Sequence, residues 1–356
     1  MKIMFIAPAN SIHTVRWVNA LAERGNEVHL VSLPNHQQEQ DKIVSNVFVH
    51  YLSMGGTKGY YLDALEIRKL AKKMQPDVIN AHYASGYGTL VRIARLPKVI
   101  LSVWGSDVYD FPYEGKLKKS IIKRNLNYAT KIASTSKVMA EQVCCLIGNR
   151  EISVTPFGVD TEHFKKVDIK EKGIFTVGIV KTLAPKYGID TVIRAFDNFL
   201  DLAGNGVKAR LLIYGCGEQK IELSQLCKEL NISSKVFFEG YIPNWNVPSV
   251  LNRFDIACFG SRSESFGVSA VEAMACEIPV IATKVAGFQE VVRDGETGIL
   301  VDVDDAQAMA DAMKKLYDDK ELREQYGKAG RKRVQNLYNW NENVDEMITL
   351  YRNVSK

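Results

Sequence analysis

Residues 261–275, Ser-Arg-Ser-Glu-Ser-Phe-Gly-Val-Ser-Ala-Val-Glu-Ala-Met-Ala, combine two carboxylates with a run of small residues and a helix-forming tail. They follow the apolar run 254–259, so the stretch reads as strand, loop and helix. Ser265, Gly267 and Ser269 would open the first helical turn. Their backbone N–H groups and the positive end of the helix would then be free to hold a phosphate. Glu272 stands about one and a half turns further in, where it can point back toward a sugar hydroxyl. Gly215 and Gly217 form a lone G-x-G after the apolar run 208–214. No G-x-G-x-x-G follows, and no acidic residue sits at the ribose distance of dehydrogenases, so the pair reads as a turn lining a nucleotide pocket, with Tyr241 near the base.

The first half of the chain offers a second set of candidates. Asn10, Ser11 and His13 open a helix after the first apolar run and suit an anionic or hydroxylated ligand, or else a simple N-cap. His82 ends another run and either faces the same region or serves as a satisfied structural histidine. Trp104-Gly105-Ser106-Asp107 follows the run 98–103. Trp104 is placed either to stack on a sugar ring or to fill the core, and Asp107 to meet an acceptor nucleophile as a base. Residues 115–124 form a basic amphipathic helix with Leu117, Ile121 and Ile122 as an apolar stripe, which packs onto a sheet or lies on anionic lipid.

Positioning these residues requires a particular scaffold. Strand-length Val/Ile/Leu runs alternate with helix-period stretches from residue 2 onward: 2–7, 27–33, 77–81, 98–103 and 131–134, then 173–180, 208–214, 236–239, 254–259 and 279–282. Continuous rather than alternating apolar runs indicate parallel sheets covered on both faces. The fold class expected is α/β, with two tandem Rossmann-like doubly wound domains facing a cleft. The first covers 1–165 and receives the acceptor; the second covers 166–339 and holds the nucleotide; the helix 340–356 packs back onto the first. Ligands bind such sheets at the carboxyl ends of the strands, which is where all the candidates above fall. No short internal repeat and no low-complexity tract interrupts this plan.

A length of 356 residues suits two domains, and 46% hydrophobic with 24% charged residues excludes a disordered chain. No apolar stretch reaches the length of a membrane-spanning helix, and the start is too short an apolar run for a signal peptide, so a cytoplasmic location is expected. The six cysteines show no C-x-x-C spacing, which argues against disulfides and zinc. The net charge of +5 is uneven: residues 1–168 hold 22 Lys+Arg against 15 Asp+Glu, or +7, leaving −2 for the rest. That is too mild for a nucleic-acid binder but suits a first half that meets anionic lipid or a phosphorylated acceptor.

The spacing Glu264-x₇-Glu272 around Ser-Phe-Gly resembles the retaining nucleotide-sugar glycosyltransferases of family 4, which have the two-lobed GT-B fold. So do Tyr214-Gly215-Cys216-Gly217-Glu218, Phe238-Glu239-Gly240-Tyr241, Gly287-Phe288-Gln289-Glu290 and Asp294-Gly295-Glu296-Thr297-Gly298, across the second half of the chain. The resemblance implies that Glu264 holds donor-sugar hydroxyls, Glu272 the ribose, and the Phe266-Gly267-Val268 backbone, with Ser265 beside it, the pyrophosphate. Lys181 and Lys186 fall where the family places an Arg and a Lys against the diphosphate; Lys181 keeps the charge but not the bidentate fork. Two further departures are Pro8–His13 in place of a Gly-Gly loop and Trp104 in place of the histidine of a His-Gly-Ser-Asp motif. The implied activity is transfer of a hexosyl or N-acetylhexosaminyl group from a nucleoside-diphosphate sugar, a UDP-sugar by preference, to a hydroxyl acceptor. Among relatives of this size the commonest setting is bacterial assembly of surface polysaccharides on lipid-linked carriers, which implies a lipid-linked saccharide acceptor and peripheral contact with anionic membrane. Neither a cofactor nor a metal is required by that scheme. A non-catalytic nucleotide-sugar-binding subunit and a GT-B sugar-nucleotide 2-epimerase are the competing readings.

Overall fold

The apolar runs become two all-parallel sheets. The computed structural model describes residues 1–38, 42–171, 173–204 and 206–356, which divide into two compact units. One comprises Met1–Phe157 with Asn341–Lys356, the other Gly158–Trp340.

In the first unit the strands are β1 (Lys2–Ile6), β2 (Glu27–Ser32), β3 (Val47–Tyr51), β4 (Val78–His82), β5 (Val99–Val103), β6 (Lys131–Ser134) and β7 (Ile152–Val154). They lie in the order β3-β2-β1-β4-β5-β6-β7. In the second they are β8 (Phe175–Val180), β9 (Ala209–Tyr214), β10 (Val236–Gly240), β11 (Ile256–Phe259), β12 (Val280–Thr283) and β13 (Gly298–Val301), in the order β10-β9-β8-β11-β12-β13. Both sheets reverse direction beside their first strand, at β1/β4 and at β8/β11, and that switch point opens a crevice at the strand carboxyl ends.

The central strands carry the core. β1 is flanked on both sides, with Ile3 opposite Val28 and Val78, and Ile3 to Ile6 are fully buried. In the second unit the helix Ile189–Ala203 lays Val192, Ile193, Phe196 and Phe199 onto the sheet, each wholly buried and worth about 1.5–3 kcal/mol. The last helix, Trp340–Ser355, buries Val344, Met347 and Tyr351 in the first unit, where the Tyr351 hydroxyl donates to Asn80 Oδ1 at 2.8 Å.

The units part at 157/158 rather than at 165/166. Residues 158–165 belong to the second unit because Val159 bridges to Asn339, and Arg331 donates to the carbonyls of Thr161 and Phe164. The basic helix Lys116–Tyr128 also differs from its expected pattern. Ile122 and Leu126 face the core, while Leu117, at the start of the expected stripe, is 75% exposed.

Candidate functional site

The chemistry-bearing residues of the second unit gather at the carboxyl ends of β8 and β11. Lys181 directly follows β8 and its Nζ lies 2.6 Å from Glu264 Oε2, with both side chains nearly enclosed. Glu264 sits in the loop between β11 and the helix Val268–Ala275. Gly267, with φ +101°, supplies the turn into that helix, and no side chain caps it. Phe266 is buried with its ring edge-on to Tyr338, so its side chain is committed to packing. Glu272 is buried in the helix, as Ser265, Gly267 and Val268 lead into it.

Close backbone approach builds this region. A Cβ on Gly215 would lie 1.9 Å from the Lys181 carbonyl oxygen, and one on Gly217 would lie 2.1 Å from that of Leu183. Gly188 and Gly260 face each other so tightly that a Cβ on either would meet the other's carbonyl oxygen at 2.0 and 2.3 Å. Gly287 donates its N–H to the Glu264 carbonyl at 3.0 Å, and a Cβ there would strike the Phe266 nitrogen at 2.6 Å. The Gly287-Phe288 motif therefore braces the peptide that carries Glu264.

Lys186 is exposed, with its Nζ over the Tyr187 ring at 4.9 Å, while Lys181 approaches the same ring at 4.5 Å. One ring thus draws both cations to it. Tyr241 is largely exposed. Sequence reasoning gave Arg262 no role. It donates to the Pro185 carbonyl at 2.5 Å and meets Asp190 and Asp304 at 2.7 and 2.8 Å, while its own N–H donates to the Lys186 carbonyl at 2.8 Å. Both carboxylates hold its guanidinium firmly charged. Arg262 thereby fixes the Lys186 loop, a role visible only once residues far apart in the chain are folded together.

In the first unit the candidates cluster at the carboxyl ends of β1, β4 and β5, but several serve the fold. Asp107 is 1% exposed; its Oδ2 accepts from Ala84 N at 2.7 Å, and its Oδ1 from Trp104 N at 3.1 Å and Gly105 N at 2.9 Å. Burial raises its pKa against these bonds. A carboxylate so committed braces the turn rather than taking a proton from an acceptor, which corrects the expectation of a base. Trp104 is 8% exposed and lies edge-on to His82 at 4.4 Å, Tyr83 at 5.0 Å and Phe157 at 5.3 Å. That leaves it little face for a sugar, and packing is its role.

His82 bonds through Nε2 to Asn80 Oδ1 at 2.6 Å, the atom that also accepts from Tyr351. His13 stacks on Phe157 at 4.1 Å, and the Nδ1 atoms of His13 and His82 are buried without a hydrogen-bond partner. Asn10 is exposed, and Ser11 begins the helix Ile12–Glu23 without a side-chain capping bond.

These histidines set a pH dependence. Burial, aided by the charge of Arg16, holds His13 down to about 3, and burial, aided by His13, holds His82 well below its ordinary value. The unfolded chain binds protons below about pH 6.5 that the folded chain refuses, so stability falls as pH drops through that value. The slope reaches up to about 1.4 kcal/mol per pH unit for each histidine. The thermal midpoint should fall between about pH 6.5 and 5.5, and His13→Phe should flatten the fall. An unchanged slope in the variant would contradict this account.

Among the described residues no cluster of three or more His, Cys, Asp or Glu is placed to hold a metal, and no helix is long and apolar enough to cross a membrane. Two family models match the chain: "Glycosyl transferase 4-like" over residues 2–136 and "Glycosyl transferases group 1" over residues 159–333. Among curated proteins, the chain is 26% identical to N-acetyl-alpha-D-glucosaminyl L-malate synthase of Bacillus anthracis, over 94% of this chain and 91% of that protein. It is also 26% identical to the capsular polysaccharide biosynthesis glycosyltransferase CapM of Staphylococcus aureus, over 95% and 93%. Among solved structures, sucrose-phosphate synthase from Thermosynechococcus elongatus superposes with a TM-score of 0.85 at 22% identity, covering 99% of each chain. Anabaena Alr3699/HepE in complex with UDP and glucose superposes at 0.81 with 18% identity, covering 99% of this chain and 100% of that one.

Proposed function

We propose a function from the premise that the family matches supply: the chain belongs to the glycosyltransferases of the GT-B fold, with a 4-like first half and a group 1 second half. Within that family, the chain moves a hexosyl or N-acetylhexosaminyl group from a UDP-sugar to a hydroxyl, with retention at the anomeric carbon. The acceptor is a lipid-linked saccharide of a surface polysaccharide, met at the cytoplasmic side of an anionic membrane.

The observation that carries this reading is the Lys181–Glu264 pair at the heads of the adjacent strands β8 and β11, beside the uncapped start of the helix Val268–Ala275. Lys181, Lys186 and the helix N-terminus supply positive potential for the charge that develops on a departing diphosphate, the electrostatic term that usually dominates such catalysis. Glu264 holds sugar hydroxyls, and Glu272 the ribose. The leaving phosphate oxygen takes the acceptor proton on the same face, so no protein base and no metal enters the scheme, consistent with the buried commitments of Asp107. Asn10, Ser11, His13 and His82 border the acceptor side of the first unit. The surface-polysaccharide setting is supported by the name of CapM, and membrane contact by the exposed Leu117 among the lysines of the helix Lys116–Tyr128 with the exposed Tyr113 just before it. UDP is supported by the HepE complexes.

The test is the thermal midpoint of the purified chain with UDP, GDP, ADP and their sugars, since a ligand that binds only the folded state raises it. UDP compounds should raise the midpoint, and Glu272→Ala should weaken UDP binding by about tenfold through loss of a charge-assisted hydrogen bond. No shift with any nucleotide would overturn the reading. Binding without turnover would favour a non-catalytic sugar-nucleotide-binding subunit.

A further inference from the structure

A cavity of about 560 Å³ opens at the amino ends of β4 and β5, on the side of the first sheet opposite His82 and Trp104. At about 3.3 Å per residue the five-residue strand β4 puts it roughly 15 Å from that end of the sheet. Ile79, from the start of β4, and Leu96 supply an apolar floor, both almost fully buried. Four exposed cations rim it: Arg68 and Lys72, one turn apart on the helix Ala64–Met74, and Arg95 and Lys98, from the connection into β5. No carboxylate lines it, and no ion pair among the described residues engages Arg68, Lys72 or Arg95.

The helices Ala64–Met74 and Gly86–Ile93 end here, and basic residues often serve to offset the negative ends of helix dipoles. Two helix ends carry about half a negative charge each, so roughly three of the four positive charges are left uncompensated. Lys98 alone is drawn elsewhere, its Nζ donating to the Ser355 carbonyl at 2.5 Å. An apolar floor under a surplus of cations is a recognition surface for a ligand with a phosphate head and a non-polar body, because a phosphate monoester carries about −1.5 to −2 near pH 7.

We infer that this cavity binds a phosphate ester bearing an apolar group, at a site separate from the donor residues, all of which lie in the other unit. The phosphate sits among Arg68, Lys72 and Arg95, and the apolar body rests on Ile79 and Leu96. Two sources share this chemistry: a soluble phosphate ester and the head group of an anionic lipid.

Calorimetric titration of the full chain with hexyl phosphate and with inorganic phosphate at low salt tests the inference. Hexyl phosphate should bind at least tenfold more tightly than inorganic phosphate, and the double variant Arg68→Gln/Arg95→Gln should lose at least tenfold for hexyl phosphate. Both arginines are exposed, so the variant should keep the wild-type circular dichroism and the wild-type response to UDP. Hexyl phosphate that fails to bind, or that binds the double variant as well as the wild type, overturns the site, and the UDP response reports on the donor reading separately. Sedimentation with phosphatidylcholine vesicles containing phosphatidylglycerol then separates the sources. Vesicle binding that the double variant loses assigns a lipid head group, and vesicle binding that it keeps, with hexyl phosphate lost, assigns a soluble ester.

Discussion

Lys181→Met is expected to lower turnover on the order of a hundredfold, about 2.7 kcal/mol of transition-state stabilisation, while costing about 1–3 kcal/mol of stability. Both effects arise from one contact. Lys181 Nζ lies 2.6 Å from Glu264 Oε2, and the two side chains keep only 13% and 12% of their exposure. Removing the ammonium strands a nearly enclosed carboxylate, which costs more than the intact pair contributes. It also removes a cation from the place where negative charge would grow on the leaving diphosphate.

The double variant Lys181→Met/Glu264→Gln separates the two roles. A neutral amide no longer needs the ammonium, so the thermal midpoint should recover most of the loss, whereas turnover should stay low. Lys181→Arg supplies a bidentate fork and should keep activity within about tenfold of the wild type. Turnover that returns together with stability in the double variant would make the pair a structural brace and sink its catalytic assignment.

How much of this was legible beforehand depends on what each residue answers to. The central strands β1, β4, β5, β8, β9 and β11 read directly from the chain because both of their faces are covered and their apolar runs are unbroken. The strands that escaped notice, β3, β7 and β13, are all sheet edges, short or partly exposed, and their composition carries only half the signal. Glu264, Glu272 and Gly267 stood out because one continuous segment places them. Asp107 was legible only as a carboxylate at a strand end, and Trp104 only as either a sugar platform or a core residue, since only the folded chain shows three N–H groups on that carboxylate and an aromatic cluster around that indole. Arg262 and the Gly188/Gly260 contact depend on residues some seventy positions apart, which no local pattern reveals.

Those long-range glycine contacts predict the second large effect. Gly215→Ala should cost about 3 kcal/mol or more, combining about 1–3 kcal/mol of backbone strain at φ +147° with about 1–3 kcal/mol of overpacking against the Lys181 carbonyl, 1.9 Å away. The clash is backbone on backbone, so no side-chain rotation relieves it. Relief must come from moving the end of β8, where Lys181 N donates to Tyr214 O at 2.9 Å and Leu183 N to Cys216 O at 3.0 Å. Any such movement drags Lys181 away from Glu264, so nucleotide response should fall along with stability. Gly204→Ala is the matched control: it also sits at positive φ, +81°, but its Cβ would meet nothing within 4 Å. It should cost only the strain, about 1 kcal/mol, and leave the midpoint shift with UDP as in the wild type. Circular dichroism melting with and without UDP reads both quantities. Equal losses in the two variants would mean that strain alone governs Gly215, and that the close approach of β9 to Lys181 has no part in shaping the site.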